Sequence, residues 1–90
     1  MTSNEKEILE KRLVYQSLHR GCKEMDIILG NFVKSNISCL DENDLFEYEK
    51  VLETDDVILY KIFTSENELV PDHLSESIIS LIKNSIVFSD

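Results

Sequence analysis

Met25-Asp26-Ile27-Ile28-Leu29-Gly30-Asn31-Phe32-Val33 decides how the rest of the chain is read. Its apolar residues Met25, Ile28, Leu29 and Phe32 recur at i, i+3, i+4 and i+7, the spacing of a helix that buries one face. Upstream lies Arg20-Gly21-Cys22-Lys23-Glu24, mostly charged and holding one of only two glycines. Glycine tolerates backbone angles that other residues avoid, so Gly21 marks a break between two helical patterns. The expectation is a charged corner held by an apolar helix that runs from about Lys23 to Val33 or Ser35. Glu24 falls in its first turn, where the helix dipole favours an anion. A rigid element presenting a few charged groups is a common way to build a binding site.

Working outward, Thr2 followed three positions later by Glu5 predicts a capping box that opens a first helix. Ile8, Leu9, Leu13 and Leu18 are expected as its inner stripe, with Val14 and Tyr15 beside it. That helix should stop between His19 and Gly21. Ser35-Asn36-Ile37-Ser38-Cys39 reads as a connection. Asp41, with Asp44 at the capping-box position, predicts a third helix whose inner face is Leu45, Tyr48, Val51 and Leu52. Thr54-Asp55-Asp56 interrupts it. Asp55 or Asp56 can cap a short fourth helix buried through Val57, Leu59, Tyr60 and Phe63. Ser65-Glu66-Asn67-Glu68 reads as a polar loop. Pro71-Asp72 is expected to open the last helix, with Leu74, Ile78, Leu81 and Ile82 inward and Ile86, Val87 and Phe88 continuing or fraying. With two glycines and one proline in the chain, tight turns are few. The sequence therefore predicts an all-α fold, a compact antiparallel bundle of four or five helices forming one domain over residues 1–90.

Ninety residues, 42% hydrophobic and 30% charged, suit a folded chain with a modest core rather than a disordered one. The net charge of −9 is uneven: residues 1–37 carry six basic and five acidic side chains, and residues 38–90 three and thirteen. Such a chain should repel nucleic acid and anionic membranes, whose binding requires neutralised phosphates. The near-neutral first half, with Arg12, Arg20 and Lys23, is the expected docking side. Cys22 and Cys39 form no Cys-x-x-Cys, and the two histidines have no partner at ligand spacing, which argues against zinc and for free thiols in a reducing compartment. No apolar run approaches the length of a membrane span. The N-terminus lacks the apolar core of a secretory signal and the Arg-rich, acid-poor character of a mitochondrial presequence. The expected setting is a bacterial cytoplasm, or else a mature form already trimmed.

Arg20-Gly21-x-x-Glu24 followed by Met25-Asp26-Ile27-Ile28-Leu29-Gly30-x-Phe32 resembles the SdhE-type FAD assembly factors, the flavinators of succinate dehydrogenase, whose mitochondrial relatives form the succinate dehydrogenase assembly factor 2 family. A second block, Glu47-Tyr48-Glu49-Lys50-Val51-Leu52-Glu53-Thr54-Asp55-Asp56-Val57-Ile58-Leu59-Tyr60, is similar to that family's Leu-Glu, acidic residues and Leu-Tyr/Phe. The two blocks together span about Arg12 to Phe63. The resemblance implies a helical bundle and a non-enzymatic assembly factor, expected to be a monomer. Its partner would be the flavoprotein subunit of succinate dehydrogenase, with the fumarate reductase subunit a further candidate. It would promote covalent attachment of FAD to a partner histidine, binding no cofactor tightly itself and acting on FAD held by the partner. Arg20, Gly21 and Glu24 are the partner-binding residues this implies, with His19 just before the motif and Asp26 just after it as further candidates. Two departures stand out: Leu18 where many relatives carry Trp, and no Trp around Ile62-Phe63.

The residues also admit blander readings. Arg20 and Glu24 are four apart and could form a surface ion pair in a continuous helix, although Gly21 interrupts it. Asp26 reads equally as part of the corner or as a solvated residue. Glu53, Asp55 and Asp56 are explained by capping as well as by contact. His19 has no nucleophile or metal beside it to make it a catalytic base, and there is no Gly-x-Gly-x-x-Gly loop for a nucleotide. A small acidic helical adaptor or antitoxin-like module unrelated to flavin is the rival reading.

Overall fold

In the computed structural model, which describes residues 2–64 and 70–86, five helices follow one another. They are α1 (Ser3–Leu18), α2 (Lys23–Asn36), α3 (Glu42–Leu52), α4 (Asp56–Thr64) and α5 (Glu76–Ser85), with a single 3-10 turn at Ile37–Cys39 between α2 and α3. No strand occurs among the described residues. The all-α expectation holds.

Two of the starts follow from local chemistry. Thr2 Oγ1 accepts from the Glu5 backbone N–H at 3.2 Å, and Asp41 Oδ1 accepts from that of Asp44 at 2.8 Å. Each satisfies one of the donors that a helix start leaves without an intrahelical partner. The expected connection at Ser35–Cys39 is tighter than a loop: α2 runs on to Asn36 and passes directly into the 3-10 turn.

The core is one cluster with α2 at its centre. Met25, Leu29, Phe32 and Val33 are buried, and α2 packs against α1, α4 and α5. Leu9 and Leu13 come from α1, Leu45, Tyr48, Val51 and Leu52 from α3, Leu59, Ile62 and Phe63 from α4, and Ile78, Ile79 and Ile82 from α5. The Phe32 and Tyr48 rings meet at 5.3 Å between centroids, tilted by 40°, a favourable aromatic pairing. The second glycine, Gly30, is buried where α1 crosses α2. A Cβ there would sit 2.8 Å from Leu18 Cδ2, so Leu18 is half-buried over it.

Several expected faces are corrected. Ile8 and Tyr15 are exposed, and buried Ser17 continues the inner stripe of α1. On α4, Val57 and Tyr60 face solvent while Ile62 is buried; on α5, Leu81 faces solvent while Ile79 is buried. Pro71-Asp72 does not open α5. Leu74 N–H bonds Pro71 O at 3.0 Å in a turn, Leu74 is buried by it, and the helix starts at Glu76. The turn brings His73 Nε2 within 3.2 Å of Thr54 Oγ1. The expected loop at 65–68 and residues 87 and 88 lie outside the described residues. Among the described residues no helix is long and apolar enough to cross a membrane.

Candidate functional site

The corner between α1 and α2 is built by two carboxylates on one arginine. After Leu18 the chain leaves the helix at His19, and Gly21 takes φ +85°. That left-handed conformation is strained for any residue with a Cβ. The Arg20 backbone N–H donates to Asp26 Oδ1 at 3.0 Å, so an acid of the first turn of α2 reaches back to hold the chain that precedes it. The Arg20 side chain turns inward. Its Nε donates to Asp56 Oδ1 at 2.6 Å, and its Nη1 and Nη2 donate to the carbonyls of Leu52 at 2.5 Å and Thr54 at 2.7 Å. The side chain is only 11% exposed. The ion-pair partner of Arg20 is therefore Asp56, 36 residues away in sequence, and not Glu24.

The outward side of the same corner carries Gly21, Glu24 and His19. A Cβ built on Gly21 meets nothing within 4 Å, so the turn is open to an approaching surface. Glu24 is exposed, with the half-buried Cys22 Sγ–H pointing to its Oε2 at 3.5 Å. The exposed His19 ring lies on the Tyr15 ring, 4.3 Å between centroids. Tyr15 and His19 edge an open hollow of about 380 Å³ whose far wall is Glu49 and Glu53. On the other flank, exposed Val57 and Tyr60 line a smaller groove with Cys22.

The five expected site residues thus share one corner but not one direction. Arg20 and Asp26 hold it from within, while His19, Gly21 and Glu24 face out. Asp56 and the Leu52 and Thr54 carbonyls were not expected as parts of it. The only sequence signal for Asp56 was its place in the second block, where capping was an equal explanation.

Chemically the corner offers a carboxylate, an open backbone turn and exposed rings, which suit binding. Cys22 and Cys39 are free thiols. Among the described residues no group of three or more His, Cys, Asp or Glu is placed to hold a metal ion.

Residues 11–86 match the family described as "Flavinator of succinate dehydrogenase". This chain belongs to that family. Among its relatives is the FAD assembly factor SdhE of Wigglesworthia glossinidia brevipalpis, 38% identical over 80 residues, which are 87% of this chain and 92% of that protein. Two proteins named succinate dehydrogenase assembly factor 2, mitochondrial, are also similar. That of Dictyostelium discoideum is 33% identical over 90% of this chain and 57% of its own length. That of Arabidopsis thaliana is 38% identical over 73% of this chain and 35% of its own. The chain spans roughly half or less of these mitochondrial relatives. No solved structure matches it. In this flavinator-family chain, the two departures from the family pattern fall at Leu18, half-buried over Gly30, and at the buried pair Ile62 and Phe63.

Proposed function

We propose that this protein is a non-enzymatic assembly factor that binds the flavoprotein subunit of succinate dehydrogenase and promotes covalent attachment of FAD to a histidine of that subunit. Membership of the flavinator family supports the reading over the rival adaptor. The observation that carries the site is the contrast within the corner: Arg20 is turned inward and bonded, while Gly21 is open and Glu24 exposed. A charged group presented from a fixed turn loses little freedom when a partner orders it.

The chemistry belongs to the partner, which holds both the flavin and the histidine that attacks its 8α carbon. The helper's task is geometric. Holding reacting groups in line can lower a barrier by several kcal/mol with no catalytic group on the helper. Glu24 and His19 would contact the partner directly, Gly21 would let its backbone come close, and Arg20 and Asp26 would keep the turn in shape. A single copy acting on each partner subunit, in a bacterial cytoplasm, completes the proposal; the free thiols of Cys22 and Cys39 go with a reducing compartment. The fumarate reductase subunit is a second client to assay.

The test is in-gel flavin fluorescence of the succinate dehydrogenase flavoprotein subunit, made with and without this protein. Covalent flavin should rise sharply with it. Glu24→Ala should melt like the parent, since an exposed charge contributes little to folding. The same variant should lose most of the flavinylation, because a charge-assisted contact is worth far more in a desolvated interface. Equal flavin in both preparations would refute the function. Full activity of a folded Glu24→Ala protein would refute the site.

A further inference from the structure

The outward corner depends on an anion from another helix. The Arg20 guanidinium, largely removed from water, donates to two carbonyls and one carboxylate. Leu52 is the last residue of α3, whose end leaves carbonyls without helical partners and carries the negative end of the dipole, and Thr54 lies two residues beyond it. Both carbonyls accept hydrogen bonds but carry no full charge. Asp56 is the counter-ion, and it sits in the first turn of α4, where the helix dipole favours an anion.

We propose that Asp56 is a positioning residue of the docking corner: by holding Arg20 inward it sets the Gly21 turn and, with it, the placing of the Glu24 carboxylate for the partner. The inference rests on the docking reading above and extends it to a residue on a different helix. A guanidinium that loses its carboxylate while still shielded from water is driven outward to solvent or to another anion. Glu49 and Glu53 line the hollow that Arg20 also lines and are the anions it would meet there. Release of Arg20 would therefore loosen the Gly21 turn and displace the Glu24 carboxylate that docking uses. Asp56 need not touch the partner to matter.

The experiment measures affinity of the full chain for the flavin-free flavoprotein subunit of succinate dehydrogenase, at a temperature where melts show each variant fully folded. Asp56→Ala should bind at least ten-fold more weakly. Asp56→Asn, which keeps an oxygen for Arg20 Nε, should recover part of the loss. Added to Glu24→Ala, Asp56→Ala should cost little more, because both act through one carboxylate. A purely stabilising role would lower the melting temperature without this non-additivity. Parent-like binding by folded Asp56→Ala overturns the proposal, and so does a fully additive double variant, which would make Asp56 an independent contact. If Asp56→Ala does not fold, Asp56→Asn carries the same comparisons. Parent-like binding by Glu24→Ala would refute the docking reading instead. The hold of Asp56 on Arg20 is then judged in the free protein by hydrogen exchange at the amides of residues 20–24, where faster exchange in the Asp56 variant supports it and unchanged exchange overturns it.

Discussion

Tyr48 is fully buried, and its hydroxyl has one partner, Ser17 Oγ at 2.5 Å. Ser17 Oγ also bonds the Leu13 carbonyl at 2.7 Å, and in the Ser17–Tyr48 pair either oxygen can be the donor. Burial pushes the phenol up to about 12, against smaller downward pulls from the Ser17 hydrogen bond and the charge of Arg20. The consequence has a definite sign. Below pH 10 folded and unfolded chains both keep this proton. Between about pH 10 and 12 the unfolded chain releases it and the folded chain does not, so stability falls as pH rises through that window. A shift of this size corresponds to roughly 2–3 kcal/mol at its upper end. Urea melts from pH 8 to 12 should show the parent losing stability more steeply than Tyr48→Phe; equal slopes would mean that the phenol reaches water.

Among the helices, α3 has its start most clearly specified. Asp41 caps it through the Asp44 N–H, and Glu42 and Asp44 add negative charge to its first turn. Asp41→Ala should cost about 0.5–2 kcal/mol, read as a lower urea midpoint at unchanged slope. An unchanged midpoint would mean that water replaces the cap without loss. By contrast α2 begins at Lys23 with no side-chain cap from Cys22, and its approach is held from Asp26 and Asp56. Inner faces were legible where polar residues alternate with apolar ones, as in α2 and α3. They were not legible in α4, where Val57, Ile58, Leu59, Tyr60, Ile62 and Phe63 leave no polar stripe to point outward. There only the packing against α2 selects Leu59, Ile62 and Phe63.

Across the whole molecule, the helices share one core, and Phe32 lies in it with no exposed surface. Removing that ring should cost about 3–5 kcal/mol, a large part of the 5–15 kcal/mol that typically separates folded from unfolded domains. Phe32→Ala should melt on the order of 15 °C or more below the parent by circular dichroism. A parent-like melt would mean that α2 is not the centre of the core. The charge asymmetry acts at the same scale. The net −9 and its concentration in residues 38–90 favour solubility and leave the first half, which carries the corner, near neutral.

The sequence by itself determined the helical class, the caps at Thr2 and Asp41, the inner faces of α2 and α3, and the family signature around Arg20-Gly21-x-x-Glu24. These depend on bonds and periodicities that span only a few residues, so the local pattern contains them. Tertiary structure alone decided which way Arg20 turns. Spacing offered it Glu24, four residues on. The fold gave it Asp56 and two carbonyls at the end of α3, because α2 brings the α1–α2 corner against the α3–α4 corner. It also decided that Leu74 is buried in a turn ahead of α5 rather than within it. Pairings over 30 or more residues depend on how helices cross, and the crossing follows from side-chain shapes at the contact rather than from the period of any one helix.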